Sequence, residues 1–472
     1  MKKEQILDMI GEAPDAYVAD AKAKPRRRRT FWLGGIAAVL VIALFVNLPT
    51  FPMIITAKAV SKPTESRKLS SDDFRNGEHF DREGFEQMMN ERDAILAEAA
   101  VSISAFTGDC AAYVLCGADD ENRLFSPINA YIALSMTAEL VGGETQTQLL
   151  DALGASSTDT LRTYVSTVWE QVNRTGSERI ALANALWLDR DVQYVQETMD
   201  HIAYHYYASV YQGDLGSART ERDMTAWMKN NTGGMIRERK SADIAAEDLL
   251  LTLTSAIDFQ SKWYNEFHAS QNTRAAFHAY GGDVTCTFMN KKEIQTYYYW
   301  ADDFGAVALG LKNGALMWFF LPDEGKTVDD VLASDAFTDM MTQTDLTTAY
   351  ENSKYMKVNL SVPQFDVASS ADLKDALQSM GVTDIFDPTA GDFSPSLSSD
   401  DDTPAYLAAI RQDVRVKIDE KGVTAAAYIE IPGAGAAMPP EEIIDFVLDR
   451  PFVFAISRSE IPLFVGTVNL PQ

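Results

Sequence analysis

Two groups of side chains have the types and spacing that metal chemistry would use. His201 and His205 are one helical turn apart, but no Glu follows His201 and no third ligand is evident. The acidic run at 400–402 could suggest calcium, although a solvated turn is the simpler interpretation. The chain also contains no Gly-x-Ser-x-Gly elbow for a nucleophile. We therefore expect no catalytic residue, no metal and no cofactor.

A more informative pattern lies in segment 412–438, which reads QDVRVKIDEKGVTAAAYIEIPGAGAAM. It begins with an alternation typical of a half-buried strand. The small residues that follow bury little apolar area, and Gly422 and Pro432 disfavour a helix. The period of two nevertheless continues, so alternate residues from Val423 onward would share one face of a strand. The segment is therefore predicted to be an exposed loop that can also serve as a strand buried on one face.

Charge and length limit the classes of function. The 472 residues carry a formal charge of -27, which should repel nucleic acid and other polyanions. Three cysteines are too few and too odd in number for a disulfide framework, so we expect free thiols. The composition predicts a large globular domain that does not bind nucleic acid.

The first part of the chain predicts a membrane segment. Residues 31–48 carry no charge and follow four arginines at 26–29, which the positive-inside rule keeps in the cytoplasm. We expect a cytoplasmic segment 1–30, a transmembrane helix or signal anchor 31–48 and an extracytoplasmic linker 49–85. The domain 86–472 would then lie outside the cell, on a single-pass anchor. The alternative is secretion after cleavage behind Ala59, where Ala57-Lys58-Ala59 fits a small-x-small site.

The predicted elements that position segment 412–438 change from helices to strands along the chain. Helical spacing predominates first, and strand-like runs then predominate to the end, a distribution that favours an α+β domain. Helices are predicted over 85–114, 128–140, 144–153, 161–173 and 196–206. Strands are predicted over 180–188, 249–257, 307–311, 315–321, 356–362, 414–418, 452–456 and 463–468.

Within this order, a series of short motifs resembles the serpin family, of bacterial type, across nearly all of residues 90–472. Each motif is weak alone, but their order and extent make the resemblance strong. They are NRLFSPIN at 122–129, GET at 143–145, ANALW at 183–187, WMKNNTGGMI at 227–236, AIDFQSKWYNEF at 256–267, FLPDEG at 320–325, VPQF at 362–365, MGV at 380–382, RPF at 450–452 and FVG at 464–466.

The resemblance implies a serpin fold, in which helices surround a large central, mostly antiparallel sheet and smaller sheets, with an exposed reactive-centre loop. It also implies a serine-type endopeptidase inhibitor rather than an enzyme. A protease would cut the loop and form an acyl-enzyme, and the freed loop would enter the central sheet before the ester is hydrolysed. Counting by the usual loop length from Glu420 places the reactive bond at Ala436–Ala437 and the inserted strand at 422–436.

The resemblance also assigns site residues. The hinge comprises Glu420, Gly422, Val423, Thr424, Ala425, Ala426 and Ala427. The gate beneath the sheet comprises Ser126, Asn129, Ser255 and Gln412. The last three stand where the family usually has Ser, Asn and His, so Asn and Ser have exchanged places and Gln replaces His. Trp263 is expected at the top of the sheet, where the loop first inserts.

Small residues around the reactive bond predict a serine protease with a small or apolar specificity pocket, elastase-like first and subtilisin-like second. We expect a monomer that also contacts the membrane through its N-terminal helix. Tyr428 is bulky and Pro432 cannot donate a ladder hydrogen bond, so an alternative remains. It is a non-inhibitory serpin, a binding or carrier protein whose loop is cut as a substrate.

Overall fold

The computed structural model describes residues 54–63, 71–76, 79–118, 121–176, 178–232, 250–341, 352–397, 405–407, 410–423 and 441–471. The predicted membrane segment 31–48 and most of the predicted reactive loop lie outside these residues.

The described helices follow the predicted spacing, and most of them belong to the first half of the domain. They are α1 (Arg82–Leu115), α2 (Pro127–Leu140), α3 (Gly143–Ala152), α4 (Thr158–Val172), α5 (Gln196–His205), α6 (Ala218–Asn231), α7 (Val328–Leu332), α8 (Asp335–Met341) and α9 (Lys374–Ser379).

Strands predominate in the second half. The described strands are β1 (Lys58–Ser61), β2 (Arg75–Asn76), β3 (His79–Phe80), β4 (Leu124–Phe125), β5 (Ile180–Asp189), β6 (Ala208–Gly213), β7 (Leu251–Phe259), β8 (Ser261–Lys262), β9 (Thr273–Ala279), β10 (Gly282–Trp300), β11 (Phe304–Gly310), β12 (Leu316–Pro322), β13 (Ser353–Pro363), β14 (Phe365–Asp372), β15 (Arg411–Ile418), β16 (Gly422–Val423), β17 (Ile443–Val447), β18 (Phe452–Arg458) and β19 (Ile461–Val468).

Two large sheets and three small pairs result. The first sheet has the order β1-β6-β5-β7, and its β5–β6 pair is parallel while its other pairs are antiparallel. The second sheet has nine strands in the order β17-β13-β10-β11-β12-β18-β19-β4, with β9 on β10. Among the described strands, the pairs β14-β15, β16-β8 and β2-β3 each form a two-stranded ladder of their own. This mixed architecture agrees with the predicted α+β class.

Helix α2 forms the centre of the core. Nearly every residue of Pro127–Leu140 is buried, as expected for a helix that is apolar on all sides. It contacts β7 of the first sheet and β19 of the second. Helix α2 therefore lies in contact with both large sheets.

Helix α1 is, among the described residues, the one helix long and apolar enough to cross a membrane by length and composition. Its buried side chains, including Ile103 and Phe106, pack in the main core, and it contacts α4 and β19. A helix in the core of a protein meets the same criterion of length and composition, so this criterion does not identify α1 as a membrane span. All three cysteines are free thiols, as expected, and burial raises the pKa of Cys110 to about 12.

Part of the expected linker belongs to the domain. Strand β1 pairs with β6, and α1 begins at Arg82 because the Asp81 side chain accepts from the Gly84 amide at 3.0 Å. Strands β1, β2 and β3 and the first turn of α1 lie within the predicted linker 49–85. The predicted division of the chain into segments stays a prediction. The sequence of this region is polar, and polarity alone does not exclude an edge strand.

Candidate functional site

The first sheet ends beside an unpaired edge. Strand β7 pairs with β5, and β15 pairs with β14, but no ladder joins β7 to β15 among the described residues. Leu253 and Ile257 of β7 pack against the main core yet are only partly buried. Within the described part of the chain, one edge of β7 and one edge of β15 therefore lack a partner strand.

A tight turn after β15 brings the predicted hinge to β8, the short strand that follows β7 in the sequence. The Asp419 carboxylate accepts from the Lys421 amide at 2.8 Å and from the Gly422 amide at 3.3 Å. Gly422 has φ +148, and a Cβ at this position would lie 2.3 Å from Lys262 Cα. Only glycine fits this turn without displacing the backbone of β8.

Beyond the turn, the chain already pairs as a strand. Gly422 lies opposite Lys262 and Val423 opposite Ser261, in antiparallel register. Val423 is 3% exposed and belongs to the main core. Gly422 and Val423 of the predicted hinge thus occupy a strand position opposite β8, while Thr424, Ala425, Ala426 and Ala427 lie outside the described residues.

Trp263 directly follows β8 and bonds it to the turn after β15. Its side chain is fully buried, its Nε1 donates to the Asp419 carbonyl at 2.8 Å, and its amide donates to the Lys421 carbonyl at 3.1 Å. The ring packs edge-on against Phe267 at 5.5 Å. Trp263 therefore lies where β8 meets the turn, and its role at the entry of the inserted loop stays a prediction.

Among the described residues, Glu420 is held by neutral hydrogen-bond donors. Its carboxylate accepts from Gln364 Nε2 at 2.8 Å and from Asn272 Nδ2, and its backbone carbonyl accepts from the Phe267 amide at 2.9 Å. These bonds hold the residue before the turn against two other segments. Sequence reasoning placed Glu420 in the hinge but did not find Gln364 or Asn272, whose partners are distant in sequence.

A buried acid near β8 was also not predicted. Glu178 is 6% exposed, and its Oε2 accepts from the Ser261 hydroxyl at 3.0 Å and the Lys262 amide at 3.2 Å. Burial raises the pKa of Glu178. The Ser261 hydroxyl thus helps to hold β8 in place. Glu178 is the single acid of loop 173–179, and nothing in this polar stretch predicts that it is buried.

The expected gate residues form two separate groups. Gln412 accepts from the Ser126 amide at 2.7 Å and donates to the Ser126 carbonyl at 2.8 Å, which joins β15 to the start of α2. Ser255 instead donates to Asn184 on β5 at 2.9 Å. Asn129 is buried, and its Oδ1 has no hydrogen-bond partner among the described residues. The structure brings together Ser126 and Gln412, and it adds Asn184, which was not predicted.

The gate bond leads to a prediction about pH. Gln412 has no titrating group, so the rate of loop insertion should not change between about pH 5.5 and 8, where histidine titrates. In Gln412→His, protonation removes the acceptor for the Ser126 amide, so insertion should become faster as the pH falls. Stopped-flow fluorescence of a labelled loop after cleavage measures this rate. A steep pH dependence in the unchanged protein would contradict the prediction.

The predicted reactive bond, Ala436–Ala437, lies outside the described residues. The chain resumes at residue 441, and β17 pairs in parallel with β13. Both ends of the loop are therefore fixed, one on β8 and the other on the second sheet.

Comparison with known proteins defines the class of this fold. The profile of the family Serpin (serine protease inhibitor) matches residues 102–471. Solved structures with the same fold include the thermophilic serpin Tengpin in its native state, 25% identical, with TM-score 0.69 over 84% of this chain and 96% of that one. Another is Arabidopsis AtSerpin1 in its native stressed conformation, 25% identical, with TM-score 0.67 over 79% of this chain and 98% of that one.

The chain belongs to the serpin family, a family of serine protease inhibitors rather than enzymes. Similar proteins include Serpin-ZX of Arabidopsis thaliana, 26% identical over 370 residues, 75% of this chain and 93% of that protein. Plasminogen activator inhibitor 1 of Sus scrofa is 27% identical over 376 residues, 76% of this chain and 89% of that protein. The predicted family and fold are confirmed.

Proposed function

We propose that this protein is an irreversible suicide inhibitor of serine proteases, which acts as a monomer. A protease cuts Ala436–Ala437, and residues 422–436 then insert between β7 and β15. The observation that carries the proposal is the pairing of Gly422 and Val423 with β8, beside two strand edges without a described partner. The relative from Sus scrofa is named as an inhibitor, which supports the same role here.

The register of the two paired residues supports insertion. If the inserted strand continued this register one residue at a time, Ala427 would lie opposite Ile257 and Tyr428 opposite Ala256. Ile257 packs against the main core, so small side chains at 425 and 427 suit the inner face. Ala256 lies on the other face, in the cluster that contains α6. The bulky Tyr428 would thus reach the outer face, beneath α6.

The proposed target has a small or apolar pocket. Gly435, Ala436 and Ala437 carry no bulky or basic side chain, so elastase-like enzymes fit best and subtilisin-like enzymes next. Trypsin-like enzymes prefer a basic residue before the scissile bond, and none lies near it.

Incubation with elastase should give an SDS-stable adduct, and mass spectrometry should find a released peptide that begins at Ala437. Ala436→Arg is the matched control, because it should transfer reactivity to trypsin without changing the rest of the loop. Faster inhibition of trypsin than of elastase by the unchanged protein would show that the reactive bond is misplaced. Cleavage without an adduct would favour the non-inhibitory alternative, to which Pro432 would contribute.

We also propose that the domain stays anchored to the membrane on its extracytoplasmic side. Cleavage behind Ala59 would remove Thr56, whose amide and hydroxyl both bond Asp223, and would divide β1. The full chain should therefore remain in the membrane fraction and keep residues 1–59. Recovery of a soluble product that begins at Val60 would contradict retention.

A further inference from the structure

The segment Ile55–Ser61, here called the strap, lies between the proposed membrane anchor and the rest of the domain. It touches three elements of the domain, namely α5, α6 and β6. Its contacts indicate what it could do.

The strap is bonded to α6 through a buried carboxylate. Asp223 is 5% exposed, and its Oδ2 accepts from the Thr56 amide at 3.0 Å and the Thr56 hydroxyl at 2.8 Å. Arg219 Nε donates to the same hydroxyl oxygen at 2.9 Å. Asp223 forms no ion pair with any residue that the structure describes, so the strap supplies donors that a buried carboxylate needs.

The strap is also bonded to the edge of the first sheet. Lys58 and Ala59 pair with Gln212 and Tyr211 of β6. The Ser61 hydroxyl donates to Asp200 of α5 and accepts from Gln196 Nε2 at 3.2 Å. The strap therefore ties α6 to the edge strand and to the neighbouring helix at once.

Helix α6 covers the face of the sheet that insertion would disturb. Its Met224, Trp227 and Met228 pack with Trp187 of β5 and Ala256 of β7. Ile55 and Ala57 of the strap pack against the same cluster. In the proposed inserted strand, counting on from Val423 opposite Ser261 would bring Tyr428 opposite Ala256. A close-packed cluster has no room for an added aromatic ring, so α6 must move when the loop inserts.

We propose that the strap is a latch that holds α6 against the sheet and thereby slows loop insertion. The inference rests on the proposed function and deepens it. It also gives the N-terminal region a regulatory role, because pulling or cutting the chain at the strap releases α6. A molecule released in this way inserts its loop faster after cleavage and relaxes more readily without it.

The test uses the full chain in detergent and the variant Thr56→Pro, which removes both donors to Asp223. Thr56→Val, which removes only the hydroxyl, is the second variant should the proline prevent folding. Lys58→Ala is the matched control, since it removes a strap contact to Gln212 but none to α6. Hydrogen exchange of α6 in uncut protein and the rate of loop insertion after elastase cleavage are both measured.

Thr56→Pro should raise amide exchange in α6 by at least about tenfold, as local opening becomes easier, and should speed insertion severalfold. Lys58→Ala should change neither. Unchanged exchange in both Thr56 variants would overturn the latch. Faster exchange with unchanged insertion would also overturn it, while adduct formation in the same samples would keep the proposed inhibition intact. Faster exchange with neither insertion nor adduct in any sample would overturn the inhibition and leave the strap without a latch function.

Discussion

Cleavage of the loop by elastase should raise the melting temperature of the domain by at least about 10 °C, which corresponds to about 5 kcal/mol at roughly 2 °C per kcal/mol. The physical reason lies at β7 and β15, each of which has one edge without a described partner strand. An inserted strand gives both edges ladder hydrogen bonds. Its inner side chains also cover Leu253 and Ile257, which are only partly buried before cleavage.

Differential scanning calorimetry of intact and cut protein, side by side, measures this shift. Protein treated with elastase that has been inactivated beforehand is the control for the added enzyme. Equal melting temperatures of intact and cut samples would show that cleavage of the loop does not stabilise the domain. The trap mechanism would then be wrong, even if elastase cuts at Ala436–Ala437.

Much of the fold could be predicted because local patterns agree with the final packing. The sequence of α2 is apolar on every side, which predicts a buried helix, and nearly all of its residues are buried in the structure. Strand β15 alternates cleanly, with Val414, Val416 and Ile418 buried and Arg415 and Lys417 exposed. The bounds of both elements were predicted to within a few residues.

Elements with a weak or interrupted pattern were not found. Helix α6 is strongly polar and buries one narrow face around Met224 and Trp227, so it was not identified as a helix. Strand β10 spans Gly282–Trp300, but its ladder to β13 is irregular between Lys291 and Ile294, and Glu293 has φ +51. An irregularity of this kind breaks the period of two on which strand prediction depends.

The candidate site could be predicted only in part, for a different reason. Motifs identified Trp263, Gly422 and Gln412 as single residues, but pairing between distant segments decides which atoms meet. Ser255 bonds Asn184 on β5, and Ser126 bonds Gln412 across 286 positions of sequence. The open edges of β7 and β15 likewise depend on strand order, which a local pattern does not contain.

The second large effect is expected at Val423. In Val423→Arg, the guanidinium would have to enter a site where the native side chain is 3% exposed and lies opposite the fully buried Ser261. Burying an unpaired charge is costly, so the first step of insertion should be strongly slowed. The protease should then hydrolyse the acyl-enzyme before the loop inserts.

Val423→Arg should therefore be cut at the same bond as the unchanged protein but yield at least about tenfold less SDS-stable adduct, a shift of about 1.4 kcal/mol in the competition between insertion and hydrolysis. Val423→Thr is the matched control, because a small side chain at this position should leave the adduct yield nearly unchanged. Titration of elastase activity against each variant gives the number of inhibitor molecules used per enzyme. If Val423→Arg inhibits as efficiently as Val423→Thr, β16 is not the start of the inserted strand. The proposed register opposite β7 would then be lost as well, because Tyr428 is placed beneath α6 only by counting from Val423.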